Sequence, residues 1–284
     1  MRYQMNPNHA QVRWRLILLA SGLLAACAVS PLASEPSSSA QVAKTATTAP
    51  RFDLGKPYLG VPLPGGERLI HPAPEPGSAR MAADQAANDR ALSMRDSARW
   101  QLAARDADLG DNWYGHAFSC AAGVVISPEK TPHIANLLRR AGSDFGISTS
   151  AVKKQFQRTR PFVVNEETSC TPQDEPFLRG NGSYPSGHSA MGYGTGLVLA
   201  SLFPDRAALL VARGRGFGNS RWVCNVHWLS DVEEGRAFAD ATFARLEANA
   251  EFRADFAAAQ EEARNLSSLE DDGTCAVEAA ALAG

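Results

Sequence analysis

The chain has 284 residues, 44% of them hydrophobic and 20% charged, and a formal net charge of -2. This composition suits one ordinary domain with a full core, and it excludes a chain disordered throughout, a fibre and a polytopic membrane protein. Because the balance of charge offers no broad basic surface for a nucleic-acid backbone, we expect no nucleic-acid partner.

The first residues have the pattern of an export signal. Arginines precede an apolar run from Leu16 to Leu24, which is too short to span a bilayer comfortably. The run leads into Leu-Ala-Ala-Cys, ending at Cys27, which resembles the lipobox of bacterial lipoproteins. We predict a signal peptide at 1–26, periplasmic location and membrane anchoring through a lipidated Cys27. Ordinary signal cleavage within one residue of Cys27 is the alternative.

Two segments of distinct composition follow the predicted signal. Residues 27–50 are rich in Ala, Ser, Thr and Pro, which predicts a flexible tether. Residues 51–78 contain six prolines and several glycines, which predicts an extended segment rather than helices. We assign residues 79–284 to one helical domain.

The domain has the texture of a helical protein. Stretches rich in Ala, Leu, Arg and Asp dominate, and none alternates cleanly as a half-buried strand would. The predicted fold class is therefore all-α, a helical bundle. A long loop is predicted at 162–184. Apolar spacing and capping residues predict helices at 80–105 (with an interruption allowed), 130–141, 148–159, 186–201, 205–217, 227–247 and 250–265.

Four further cysteines are candidates for disulfide bonds, because exported chains meet an oxidising compartment. Three pairings of Cys120, Cys170, Cys224 and Cys275 are open. We favour Cys120–Cys170 and Cys224–Cys275, of which the second would tie the C-terminal tail to the region of Cys224 and His227. Cys224 and His227 form a C-x-x-H pattern, but no matching pair accompanies them, so we predict no metal site.

The stretch Pro185-Ser186-Gly187-His188 precedes an apolar, glycine-spaced helix. Ser186 is a candidate N-cap, and the free N–H groups and dipole of a helix N-terminus attract anions. Glycine lets a ligand approach the backbone, and His188 stands one step further on. A plain turn followed by a capped helix is the alternative interpretation.

A second group of residues comprises Ser220-Arg221 and the pair His227-x-x-x-Asp231. On a helix the pair would share one face, so the carboxylate would orient the imidazole and leave its other nitrogen free to attack. Arg221 offers a planar fork suited to phosphate oxygens. A surface His–Asp pair with an unrelated arginine is the alternative.

Lys153 and Arg160 form the third group. They are seven residues apart, about two helical turns, so they would line one helical face, and Pro161 would end that helix. Alternatively, Lys154, Arg158 and Arg160 would form an ordinary solvated face.

In chain order the three groups read K-x6-RP, PSGH and SR-x5-H-x3-D. This pattern resembles the signature of the type 2 phosphatidic acid phosphatase superfamily, which includes the vanadium haloperoxidases. The stretches from Gly182 to His188 and from Ser220 to Asp231 also resemble the class A bacterial non-specific acid phosphatases. The likeness covers roughly residues 80–265.

The resemblance implies a helical bundle of that type and a metal-independent acid phosphatase that needs no cofactor. Its substrates would be small phosphate monoesters of broad range, with phosphotransfer as a side activity. His227 would be the nucleophile that forms a phosphohistidine, Asp231 would orient it, and His188 would protonate the leaving group. The implied phosphate-binding residues are Lys153, Arg160, Ser186, Gly187 and Arg221.

This mechanism predicts an acid-leaning pH optimum. Bound phosphate and nearby acids would raise the pKa of His188, while Lys153 and the arginines oppose that change.

Three other functions fit parts of the pattern. A lipid phosphate phosphatase is favoured by the predicted anchor but opposed by the lack of membrane spans in the sequence. A vanadium-dependent haloperoxidase would bind vanadate in the same pocket, but the chain is compact for that group. A phosphate-binding lipoprotein without activity would bind phosphate and not turn it over.

Overall fold

The computed structural model describes residues 52–283. The predicted signal peptide at 1–26, the lipidation of Cys27 and the tether at 27–50 lie outside the described residues. The predicted all-α class is confirmed, since residues 52–283 form helices and no strand. Within this range, no helix combines the length and the hydropathy that crossing a membrane requires.

The first half of the domain contains six helices. The single helix predicted at 80–105 is divided in two, because Asp96 adopts a left-handed φ of 61° and Ser97 caps a new helix. A helix that begins at Trp113 was not predicted; it ends at Gly123, whose φ is 69°. The bounds are α1 Ala79–Ser93, α2 Ala98–Arg105, α3 Trp113–Ala122, α4 Pro132–Ser148, α5 Ser150–Phe156 and α6 Pro161–Val164.

The second half contains six more helices. The predicted loop at 162–184 carries α6, a 3-10 turn at Pro172–Asp174 and a further short helix, and the last helix of the chain was not predicted. The bounds are α7 Glu175–Arg179, α8 Gly187–Leu202, α9 Ala207–Val223, α10 Leu229–Ala248, α11 Ala250–Ala263 and α12 Thr274–Ala283.

Helix α8 lies at the centre of the bundle and packs against α4, α9 and α10. Its small residues allow this close packing: a Cβ added to Gly192 would lie 2.0 Å from the ring of Phe217 on α9. Leu199 of α8 and Phe145 of α4 are fully buried in the same core. This packing holds the N-terminus of α8, which contains the PSGH stretch, deep inside the molecule.

Residues 52–78 form no α-helix and contact α4. The buried carboxylate of Asp144 accepts hydrogen bonds from the backbone N–H groups of Tyr58, Leu59 and Gly60 at 2.7, 2.9 and 2.9 Å. A buried carboxylate that accepts three such bonds is well stabilised, so the segment is attached firmly to the bundle.

The two disulfides join Cys120 to Cys275 and Cys170 to Cys224. The pairing that we favoured from the sequence is therefore wrong. The loop after α6 turns back onto the end of α9, where the N–H of Cys170 donates to the carbonyl of Cys224 at 3.1 Å. The C-terminal helix α12 instead reaches α3, so Cys275 meets Cys120.

Candidate active site

A cavity of about 1230 Å³ opens beside the N-terminus of α8. The structure brings all eight predicted site residues to this cavity or directly behind it. Ser186 and Asp231 lie behind the wall and have no exposed surface. The other six line the cavity: Lys153, Arg160, Gly187, His188, Arg221 and His227.

His227 and Asp231 meet at the start of α10, but not on one helical face as predicted. His227 precedes the N-cap Trp228, and Asp231 occupies the third position of the helix. One carboxylate oxygen, Oδ2, accepts the N–H of Trp228 at 2.9 Å and lies 3.2 Å from Nδ1 of His227. A capping carboxylate thus also orients the imidazole.

The tautomer of His227 follows from its neighbours. Nη1 of Arg160 lies 3.1 Å from Nε2 of His227, and because a guanidinium only donates, Nε2 must accept. The proton of the neutral ring is then on Nδ1, facing Asp231. Burial lowers the pKa of His227 well below its usual value, and Arg160, Lys153 and Arg221 lower it further. His227 is therefore neutral, with a lone pair on Nε2.

Lys153 reaches the cavity from the end of α5. Helix α5 stops at Phe156 because Gln157 takes a left-handed φ of 44°, so Lys153 and Arg160 do not share a helical face as predicted. The Nζ of Lys153 donates to the carbonyls of Gly182 at 2.9 Å and Ser183 at 3.3 Å. Burial, followed by the charge of Arg160, lowers the pKa of Lys153 to about 7.

The two arginines of the site differ in how they are held. Nε of Arg160 donates to the carbonyls of Leu178 and Asn181, each at 3.0 Å. Nε and Nη1 of Arg221 are buried, and neither has a hydrogen-bond partner among residues 52–283. Unpaired buried donors are costly, and this arginine is only 2% exposed. An anion in the cavity would supply the acceptors that Arg221 lacks.

Ser186 is the N-cap of α8. Its Oγ accepts the N–H of Ser189 at 3.2 Å, and its own N–H donates to the carbonyl of Asp231 at 2.9 Å. Gly235 of α10 packs so closely that an added Cβ would lie 2.4 Å from the carbonyl oxygen of Ser186. These contacts hold the adjacent Gly187 at the cavity wall.

His188 lines the same cavity as His227 and is bonded to the loop after α2. Its Nε2 lies 3.0 Å from the carbonyl oxygen of Ala107, which only accepts, so this nitrogen carries a proton. The ring stacks on Phe217 at 6.3 Å between centroids. Burial first, then Arg221, lowers the pKa of His188 well below its usual value. The predicted effect of nearby acids is therefore wrong, because cations such as Arg160 surround this ring.

Sequence reasoning missed two residues behind His227. Arg158 was interpreted only as part of a solvated face, yet its side chain is 9% exposed and contacts Asp231 and Asp84. One feature of the sequence could have indicated that Arg158 has a distant partner: no acidic residue stands beside it in the chain. Asp84 is on α1, far away in sequence, and no spacing connects it to the motifs.

The outer part of the cavity is different in character. Four exposed apolar side chains line it, from residues 52–78, α7 and α12. We call the part lined by Lys153, Arg160 and Arg221 the cation end. We call the part lined by Phe52, Leu54, Phe177 and Val277 the mouth.

Comparisons with known proteins agree with this geometry. The family model described as the PAP2 superfamily matches residues 141–246, which contain every predicted site residue. An acid phosphatase of Zymomonas mobilis is 38% identical over 215 residues, which cover 75% of this chain and 81% of the relative.

Two further relatives are non-specific acid phosphatases. That of Salmonella typhimurium is 41% identical over 192 residues, covering 66% of this chain and 77% of the relative. That of Providencia stuartii is 37% identical over 195 residues, covering 68% and 79%. The chain therefore belongs to the PAP2 superfamily, among its bacterial acid phosphatases.

Proposed function

We propose that this protein hydrolyses phosphate monoesters, independently of any metal ion, through a phosphohistidine at His227. One observation carries the proposal: Arg221 presents two buried donors that have no acceptor in the part of the chain the structure describes. Arg221 lines the same cavity as His227. A phosphoryl group in the cation end would satisfy these donors and meet the nucleophile.

The phosphoryl oxygens are bound by Lys153, Arg160 and Arg221. The backbone N–H of Gly187 adds a fourth donor at the N-terminus of the 16-residue helix α8, where the helix dipole also favours an anion. These three side chains supply the positive charge that a metal ion supplies in other phosphatases. Stabilisation of the charge that develops on the oxygens is the largest contribution to catalysis.

In the first step, Nε2 of His227 attacks phosphorus. A P–N bond forms while the P–O bond to the alcohol breaks. Asp231 accepts the hydrogen bond from Nδ1 and stabilises the positive charge that the ring acquires. His188 is the general acid. It acts in its doubly protonated form, which the negative charge of the bound phosphate favours. Its Nε2–H stays bonded to Ala107, and its Nδ1–H gives the proton that the leaving oxygen takes up.

In the second step, water attacks the phosphohistidine. His188, now neutral, takes a proton from the water as the new P–O bond forms and the P–N bond breaks. Inorganic phosphate leaves, and both histidines return to their starting protonation states. An alcohol that enters in place of water would accept the phosphoryl group, which accounts for a phosphotransferase side activity.

A broad range of substrates is consistent with the size of the cavity. Its volume of about 1230 Å³ is far larger than a phosphate group, so the alcohol moiety has room to vary. We propose nucleotides, sugar phosphates and aryl phosphates as substrates. All of them present the same phosphoryl group to the cation end.

The test uses p-nitrophenyl phosphate in the presence of EDTA. We expect the wild type to stay active and His227→Ala to lose about 10⁴-fold or more in kcat. Alkaline quenching of the wild type during turnover, followed by peptide mass spectrometry, should give phosphate on His227.

His133→Ala is the matched control, because this exposed histidine is away from the cavity and bonds to Glu262 only through its backbone N–H. It should be as active as the wild type. Activity that EDTA abolishes, or that survives in His227→Ala, would refute the proposed mechanism.

We also propose that the enzyme acts in the periplasm, exported by residues 1–26 and anchored through Cys27. Two disulfides among the described residues support export, because such bonds persist in oxidising compartments. Metabolic labelling with a radioactive fatty acid should mark the wild type and not Cys27→Ala. An unlabelled wild type would exclude the anchor, and retention in the cytoplasm would exclude export.

A further inference from the structure

We propose that Arg158 and Asp84 are positioning residues of the reaction. They hold Asp231 in place and limit how strongly its carboxylate stabilises a protonated His227. This inference rests on the proposed role of His227 as the nucleophile. It concerns the side of Asp231 that faces away from the imidazole.

Arg158 links three elements behind the active site. Its Nη1 donates to Oδ1 of Asp231 at 2.7 Å and to Oγ of Ser230 at 2.8 Å. Its Nη2 donates to Oδ2 of Asp84 at 2.6 Å. The guanidinium also lies 5.2 Å from the ring centroid of Trp228. With so many contacts, the planar fork has one orientation.

Asp84 anchors this arrangement from α1. Its Oδ1 accepts the N–H of Ser230 at 2.7 Å, and its Oδ2 accepts Oγ–H of the same serine at 2.6 Å. Its side chain is 1% exposed and that of Asp231 is 0% exposed. Both carboxylates are therefore compensated only by protein donors, and Arg158 is the cation they share.

The consequence concerns the basicity of His227. The carboxylate of Asp231 favours a proton on the imidazole, whereas the positive charge of Arg158 on the opposite oxygen opposes that effect. The other charged or titratable groups that face His227 are Lys153, Arg160, Arg221 and His188.

A buried ion pair can also serve stability alone, so the test needs a readout that a structural role would not change. The acid limb of the pH profile of kcat/KM provides one, because it reports the protonation of His227 in the free enzyme. The second ionisation of the substrate affects this limb equally in every variant and cancels in the comparison.

In Arg158→Gln, Asp231 keeps its charge but loses its opposing cation. We expect the acid limb to move toward higher pH by about one pH unit. We expect kcat to fall about tenfold to a hundredfold, as for other residues that orient a catalytic group without contacting the substrate. KM should be nearly unchanged. Arg158→Lys keeps the charge with fewer hydrogen bonds, so its acid limb should stay near that of the wild type while kcat recovers only in part.

Asp84→Asn provides a test of opposite sign. It removes the second carboxylate, so more of the charge of Arg158 acts on Asp231, and the acid limb should stay in place or move toward lower pH. The loss of the anchor should lower kcat a few-fold. A general loss of folding would affect the acid limb in the same way in both variants. Different behaviour of the acid limb in Arg158→Gln and Asp84→Asn therefore separates the proposal from a structural role.

Arg140→Gln is the matched control. The side chain of Arg140 is 12% exposed and pairs with Glu251 at 2.7 Å and Asp255 at 2.8 Å, and it does not line the cavity. It should lose stability without any change in the acid limb. If Arg158→Gln behaves in the same way while His227→Ala is inactive, the inference fails and the proposed function stands. If His227→Ala is active, both fail.

Discussion

The cation end and the mouth of the cavity differ in burial, in charge and in origin along the chain. Arg160 and Arg221 at the cation end are 3% and 2% exposed, whereas Phe177 and Val277 at the mouth are 44% and 63% exposed. The cation end is built from motif residues. The mouth is built from connecting and terminal segments. In the proposed function, the buried part meets the phosphoryl group that every substrate shares, and the open part meets the alcohol that varies.

The strongest test of this division is the loss of Arg221. Arg221→Gln removes a charge-assisted fork whose Nε and Nη1 have no other acceptor among the described residues. We expect kcat/KM to fall about 10²- to 10³-fold for every substrate alike. Arg215→Gln, an exposed arginine on the same helix, is the control and should be unaffected. A loss that depends strongly on the alcohol would contradict the division.

Stability should depend on pH through Lys153. Its folded-state pKa of about 7 lies below that of an exposed lysine, so between these values the unfolded chain holds a proton that the folded chain has lost. Folding stability therefore rises with pH across this window, and an anion in the cation end favours the charged lysine.

Sulfate is a suitable probe for this effect, because its charge does not change across the range. It should raise Tm by about 3 °C near pH 6 and by less near pH 9. Calorimetry at constant ionic strength would measure it. In Lys153→Met the difference between the two pH values should vanish; an equal difference there would rule out Lys153 as the source.

The two disulfides should affect different ends of the cavity. The bond between Cys120 and Cys275 holds α12, which contributes Val277 to the mouth. Replacing this pair by serine should raise KM for p-nitrophenyl phosphate about threefold to tenfold, while kcat changes little. Replacing Cys170 and Cys224, next to the turn that leads to His227, should lower kcat instead. Equal effects of both replacements would count against the distinction.

The smallest effect is expected at Phe177. Phe177→Ser should raise KM for aryl phosphates about threefold to fivefold, or about 1 kcal/mol, because less apolar area contacts the ring. Inhibition by inorganic phosphate should be unchanged, since in our proposal phosphate binds at the cation end. Val164→Ser is the control, because Val164 is 55% exposed and does not line the cavity. A change in phosphate inhibition would show that the two ends are coupled.

The sequence predicted which residues meet at the cation end, because three motifs in order specify their chemistry. It did not predict their local geometry. Lys153 and Arg160 were assigned to one helical face, but the left-handed φ of Gln157 ends α5 between them. His227 and Asp231 were placed on one helix, but α10 begins after His227, and Asp231 caps it. A helix end depends on the conformation of a single residue, which periodicity does not resolve.

Contacts between distant segments were not predictable in this way. Asp84 and Arg158 are close only because α1 packs near the start of α10, and no sequence spacing carries that information. The same holds for the pairing of Cys275, which depends on where α12 packs. The mouth contains no motif, because its four side chains come from three separate stretches and look in sequence like ordinary exposed apolar surface.

The two cystine bonds form nested covalent rings. The outer ring spans 155 residues from Cys120, the inner one spans 54, and every proposed catalytic and phosphate-binding residue lies within the outer ring. The connection between α11 and α12, residues 264–273, is helix-free and mostly exposed. A protease that cuts this connection would leave α12 covalently attached through Cys275. The nicked enzyme would remain one particle until a reductant separates its two fragments.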